Sequence, residues 1–395
     1  MGIFTGLSLT PWELHGQNVL PTNPNVVNGT ATFSTTDGAM QVVNSNGASI
    51  HWDSFSIGAH NSVYFQQSGS DSTVLNTVVG HNLSEIYGSL GSNGKVFLIN
   101  QNGIFIGANA TINTAGFLAS TLNINNAEFK ANNGAGTLHF VGKSDASITN
   151  LGTINAIGGD VYLIAKHVSN SGTITASEVN GKGGIVGMYA THELYLTTGA
   201  PDGGLVRLGS GSKSVGTGTG IDNSGVINAV QADLKATGNL YSLAINNSGV
   251  IRATGATVKN GVIHLSAPGG TISSSGTLRA VNANGDGGTI KVQSGSGGTT
   301  LVSGTVDASA STAVTQVWLN PSLLAPPGLP SDGFQTLTLG GVTVGTMALD
   351  ANGNAYSPQK GGNVELSGDY VAVYDSAKVK ADGPAGGGTI AIGGS

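Results

Sequence analysis

The chain has 395 residues, 64 of them glycine, no cysteine, and a formal net charge of −6 carried by only 9% charged residues. Zero cysteine excludes thiolate metal sites and cysteine nucleophiles, and mild acidity without basic clusters argues against a nucleic-acid partner. Abundant Val, Ile and Thr with little net charge separates the chain from disordered sequences, and glycine lacks the every-third spacing of collagen. Residues 1–30 carry Trp12 and three of the eleven prolines in irregular order, and are expected to form an N-terminal cap. No Lys or Arg precedes Lys95, so the basic n-region of an export leader is not seen, and the chain is expected to be a mature form. No stretch approaches the ~20 apolar residues of a membrane helix.

The next stretch, 49–122, is the most informative. It opens with Ser49-Ile50-His51-Trp52-Asp53-Ser54-Phe55-Ser56-Ile57-Gly58 and continues through Val74-Leu75-Asn76-Thr77-Val78. It then reaches Gly94-Lys95-Val96-Phe97-Leu98-Ile99, the corner Asn100-Gln101-Asn102-Gly103-Ile104, and Gly116-Phe117-Leu118-Ala119-Ser120-Thr121. Trp52, Phe55, Tyr64 and Phe65 could offer an aromatic surface to sugars, but such rings are more often core, and core is the expectation.

From 149 onward a degenerate unit recurs: a small polar pair, Gly, an aliphatic pair, then Ala. It is seen at Thr149-Asn150-Leu151-Gly152-Thr153-Ile154-Asn155-Ala156, Asn170-Ser171-Gly172-Thr173-Ile174-Thr175-Ala176 and Asn223-Ser224-Gly225-Val226-Ile227-Asn228-Ala229. Glycines 152, 172, 225, 249, 276 and 304 are spaced by 20, 53, 24, 27 and 28, the 53 being read as two coils. Short strands such as Val161-Tyr162-Leu163-Ile164-Ala165 lie between Gly- and Asn-rich turns, and helical periodicity is nearly absent. Such strands cannot bury a face alone. Stacked in register they share one apolar core and satisfy one another's backbone, so a period of this size predicts an all-β solenoid, a parallel β-helix. Glycine at the corners is expected to supply positive φ.

Residues 31–310 are therefore assigned to the rod, with a weaker Gly-rich excursion at 197–220. Residues 311–360 hold five prolines and break the pattern, so they are read as an extra-helical excursion. Its Trp318 and Phe334 are the candidate ligand-contacting side chains, since long loops on repeat scaffolds carry function. Residues 361–395 return to coils, and the natural protein is expected to continue past Ser395.

The ordered blocks in 49–122, together with the later Asn-x-Gly-x-Ile-x-Ala coils, resemble the filamentous-haemagglutinin-type secretion (TPS) domain of two-partner secretion exoproteins. That resemblance implies a right-handed β-helix. It also implies a transporter partner of the TpsB/Omp85 type in the outer membrane, which recognises the domain while still unfolded. Folding would follow at the cell surface, with an adhesin-like role for the exoprotein and glycans or proteins of host or neighbouring cells as further partners. The corner Asn100, Gln101, Asn102, Gly103, Ile104 is the transporter-recognition motif by this resemblance. It departs from the family's usual Asn-Pro-Asn-Gly-Ile by Gln101, which lacks proline's fixed φ.

Other chemistry is poorly supported. The 21 acidic residues are scattered, with Asp369 and Asp375 the nearest grouping, whereas glycosidic cleavage needs two carboxylates facing one bond. The histidines are dispersed, Asn284-Gly285-Asp286-Gly287-Gly288 is a poor echo of a calcium repeat, and there is no phosphate-binding loop, so no cofactor or metal is assigned. The leading reading is a non-enzymatic secretion and structural module. A carbohydrate-active β-helix enzyme and a self-assembling fibre or matrix subunit remain as alternatives, and the chain is expected to be a monomer or an end-to-end assembly.

Overall fold

The computed structural model describes residues 19–198, 205–209, 217–257, 259–311, 334–339, 342–349, 355–356 and 359–394. The described residues form a parallel β-helix with three long faces, here sheets A, B and C, of 12, 9 and 12 strands. One coil illustrates the path. Lys95–Ile99 lies in sheet A, Ile104–Ile106 in B and Thr111–Thr114 in C, and Gly116–Ser120 returns to A in register on the coil before. Side chains alternate across each strand, so every second residue points inward. In Val226–Ala229 the buried pair is Ile227 and Ala229, stacked on Ile174 below and Ile251 above. These inward residues form one continuous core from Met40 to Leu366.

The first strands close the open end. Asn25–Asn28 runs antiparallel to Ala48–Trp52, and Ala31–Thr36 antiparallel to Ala39–Asn44. Reversing the chain there puts antiparallel strands, not a bare parallel edge, at the end of the stack. Trp52, Phe55 and Phe65 fill this end and are fully buried, with Trp52 edge-on to both Phe33 and Phe55 at 5.6 Å. Tyr64 is the exception to the expectation of core: it is 41% exposed, because it sits between inward Val63 and Phe65 and must face out.

Two features of the repeat differ from the sequence reading. The 53-residue gap is one coil, not two: Thr173–Ser177 pairs directly with Val226–Ala229, and the surplus residues leave the rod. Nor does Gly152 adopt positive φ. A β-carbon there would lie 2.5 Å from Gly107 O and 2.7 Å from Ala110 O. The same column recurs at Gly172, Gly225, Gly249, Gly276 and Gly304, each seated against the backbone carbonyl of the glycine one coil earlier. Space, not dihedral freedom, demands glycine here.

Beside that column runs a buried amide ladder. Asn150 Nδ2 donates to Asn170 Oδ1, Asn170 to Asn223 and Asn223 to Asn247, each at 2.8 Å, and Asn247 donates to Ser274 Oγ at 3.3 Å. All four asparagines are fully buried.

Two excursions leave the rod at the A-to-B corner, one after Ser120 and one after Ala190. Their strands Asn123–Ile124, Gly136–Val141, Glu193–Thr198 and Leu205–Leu208 join into a four-stranded antiparallel sheet. Thus part of the stretch expected to be a Gly-rich loop, 197–220, is paired strand. The first excursion also holds a helix, Asn126–Asn132, capped by Asn125 Oδ1, which accepts from Ala127 N at 3.0 Å. This assembly covers the outer face of sheet A with a second apolar cluster, in which Leu118, Ile164 and Tyr189 of the rod meet Phe129, Phe140 and Leu196. A third excursion leaves between sheets C and A. Its described strands Phe334–Leu339, Val342–Leu349 and Ala355–Tyr356 form an antiparallel trio, while the rod continues as Thr289–Gln293 pairs directly with Asn363–Ser367.

Candidate functional site

The corner Asn100–Ile104 carries the chain from sheet A to sheet B. Asn100 is fully buried and binds in four directions. Its backbone N donates to Ser120 O at 2.9 Å in the following coil. Its Nδ2 donates to Asn82 O and Ser84 Oγ in the preceding coil, both at 2.9 Å. Its Oδ1 accepts from Asn102 N at 2.9 Å, the short-range loop that lets asparagine stand in for a backbone turn. Asn102 is exposed, yet its Nδ2 bridges to Gly80 O at 2.9 Å and to Asn100 Oδ1 at 3.0 Å. Gly103 has φ of 110°, a conformation that favours glycine, and the exposed side chain of Leu83 lies over it. Ile104 then pairs in register with Ser84 and Ile148 and enters the core. Gln101 exposes its side chain and offers its carbonyl to Ser144 Oγ at 2.6 Å. The five residues thus weld three coils, with Gln101 and Asn102 alone presented outward.

Beside the corner is a polar groove lined by Thr77, Gly80, His81, Gln101, Asn102 and Asn123. Two of the groups facing it, His51 Nε2 and Thr77 Oγ1, are buried and have no hydrogen-bond partner among the described residues.

The other candidate residues are not brought to this corner. Trp318 lies outside the described residues. Phe334 begins the strand Phe334–Leu339 of the third excursion, its Cα opposite Ala348. Asp369 and Asp375 flank the strand Tyr370–Val373. Asp369 accepts from Gly297 N at 2.7 Å, and Asp375 sits in a turn with φ of 54°. Among the described residues no three metal-ligating side chains converge.

Sequence reasoning missed a second feature, a cleft between the end of the helix and sheet A, where Asp71, Lys95, Asp160, Tyr162, Lys182 and Lys259 meet. Asp160 Oδ1 accepts from Ile185 N at 3.0 Å and its Oδ2 from Tyr162 OH at 3.1 Å, while burial pushes its carboxyl above the usual range. The hydrogen bond from Lys182, at 2.6 Å, holds Asp71 below it. Apart from Asp160 and Tyr162, which are two residues apart, the members come from different turns, so no local motif marks the group. Its one legible signal is in the strands nearby: Gly116–Ser120, Val161–Ala165 and Ile185–Ala190 are buried at every position, as a sheet covered on both faces requires.

Comparison with known proteins agrees with this architecture. The family model of the TPS secretion domain matches residues 14–280. A heme/hemopexin-binding protein of Haemophilus influenzae is 33% identical over 256 residues, which are 63% of this chain and 27% of that protein. Another heme/hemopexin-binding protein of H. influenzae is 41% identical over 103 residues, 26% of this chain and 11% of its own length. The matched part thus spans about a quarter or less of these curated relatives. The solved structure of the HMW1 secretion domain from H. influenzae superposes with a TM-score of 0.67 at 28% identity, covering 94% of each chain.

Proposed function

The chain belongs to the TPS secretion-domain family, and from that premise we propose that it is the secretion and structural module of a longer, adhesin-like exoprotein, read by an outer-membrane transporter of the Omp85 type. As a two-partner secretion domain it is an exported protein of the cell surface or extracellular space. The observation that carries the reading is the family match over 14–280, which contains the whole of the corner Asn100–Ile104. The physical logic is consistent with vectorial export. Each coil completes its hydrogen bonds and its core on the coil before it, so a chain emerging end-first can fold stepwise without waiting for distant partners.

The role is non-enzymatic in this reading. The carboxylates of the cleft are engaged, Asp71 by two lysines and Asp160 by Ile185 N and Tyr162 OH. A second reading of the whole exoprotein, capture of haem or a haem carrier, is favoured by the name of the 33%-identical relative.

The test is co-expression of the chain, behind an export leader, with and without its transporter in a Gram-negative host. Folded chain should reach the medium only with the transporter. Gln101→Ala together with Asn102→Ala should lower export at least about fivefold while shifting folding stability by only about 1 kcal/mol. Transporter-independent export, or unchanged export of the double variant, would count against recognition at this corner.

A further inference from the structure

The outer face of sheet C is uncharged over a long stretch. Seven consecutive strands, from Ala39–Asn44 to Val226–Ala229, contain no Asp, Glu, Lys, Arg or His. At about 4.8 Å per strand they make a track about 29 Å long. Charge returns at the following strand, with exposed Arg252. The other two faces differ. Sheet A is roofed by the excursions, and the outer face of sheet B carries Glu85, His167 and Asp222.

Tyr64 lies near one end of this track. It is the ring that was expected in the core and faces solvent instead, 41% exposed. A β-carbon at Gly91, its register partner on the next strand, would lie 2.8 Å from the ring's Cδ2 and 3.3 Å from its Cε2. The ring therefore lies along the sheet, over the gap that Gly91 leaves, rather than standing off it. Beyond it the outward positions are amides and hydroxyls. Asn155 Nδ2 donates to Asn113 Oδ1 at 2.8 Å, which leaves Asn113 Nδ2 and Asn155 Oδ1 unspent. Gln41, Thr153 and Thr175 make no side-chain hydrogen bond among the described residues.

A ligand suited to this face is neutral and elongated. It donates and accepts along its whole length and offers an apolar patch to the ring. A nucleic acid or sulfated chain would find no cation here, and a protein partner would find no apolar core. An extended glycan has hydroxyls along its edges and CH groups on its ring faces, and the length of one sugar unit is close to the strand spacing.

We propose that this face of sheet C binds an extended, neutral, β-linked glycan, with one sugar stacked on Tyr64 and the following ones lying along Asn113 and Asn155. The site is separate from the corner Asn100–Ile104 and does not depend on the export reading.

The test is calorimetric titration of the 395-residue chain with cellohexaose and chitohexaose, with glucose and N-acetylglucosamine as their monomers, and with heparin as a polyanion. At least one hexasaccharide should bind. Its monomer should bind at least about tenfold more weakly, because a single ring engages one point of the track. Heparin should not bind. Tyr64→Ala should weaken hexasaccharide binding about fivefold, and Asn155→Leu about threefold. Should circular dichroism show that Tyr64→Ala does not fold, Asn155→Leu carries the test. Failure of both hexasaccharides to bind, equal binding by the folded variants, a monomer binding as tightly as its hexasaccharide, or heparin binding as tightly as either would each overturn the assignment.

Discussion

At the scale of single residues, the corner separates two asparagines that look alike in sequence. Asn100 is buried and its amide holds three groups, whereas Asn102 bridges at the surface. Asn100→Ala strands Ser84 Oγ in a buried place, removes the partners of Asn82 O and Asn102 N, and should cost about 2–4 kcal/mol. Asn102→Ala should cost about 1 kcal/mol. Urea unfolding of both variants checks this, and equal costs would contradict the corner described here. Gly152→Val should exceed about 3 kcal/mol, because the added carbons meet two carbonyl oxygens that belong to the stack and cannot retreat. A change within about 0.5 kcal/mol would mean that the glycine column is not tightly seated. The need for glycine was legible in the repeat; its cause was not, since a sequence does not distinguish a strained dihedral from a missing gap. The outward face of Tyr64, by contrast, follows from its place between Val63 and Phe65.

At the scale of elements, the recurring Asn of the repeat is the rung of a buried ladder. Asn170→Leu deprives Asn150 Nδ2 of its acceptor and leaves Asn223 Oδ1 without its donor. It should cost about 2–4 kcal/mol, whereas Asn155→Leu on the outer surface, where the amide bonds Asn113, should stay within about 1 kcal/mol. Thermal unfolding of the pair measures the difference, and a cheap Asn170→Leu would show that the amides merely fill space. The extra-helical sheet is the element that reading in chain order could not assemble. Gly136–Val141 pairs with Glu193–Thr198 across six intervening rod strands and their turns. Each alone has the alternation of an ordinary coil strand. Their joint role follows from leaving the rod at the same corner, two coils apart.

For the whole molecule, stability should respond to acid in two opposed ways. Burial pushes Asp160 up, so the folded state takes up that proton before the unfolded chain does. Its penalty is fully present at neutral pH and is relieved as pH falls through its folded pKa toward 3.8. Asp233 and Asp307 behave oppositely. Burial alone would raise both, but hydrogen bonding from His264 and the charge of Lys235 bring Asp233 below its ordinary value, and bonds from Ser309 with the Arg279 pair do the same for Asp307. Their stabilisation is complete above 3.8 and is lost as pH falls below it through their folded pKa values. Urea midpoints should therefore rise slightly on mild acidification and then drop below about pH 4. Asp160→Asn should abolish the rise and keep the drop. A monotonic profile in the parent chain would refute the Asp160 contribution.

Composition, the coil-length period and the run of blocks from Ser49 to Thr121 were enough to determine the solenoid and its family, because a stacked coil is specified by contacts that repeat locally in every turn. Tertiary structure decided the rest: which gap was one coil, which face of the rod was roofed, and which charges met beneath the roof. Those outcomes depend on residues from separate coils being brought within a few ångströms of one another, and that proximity is set by the register of the whole stack rather than by any stretch read along the chain.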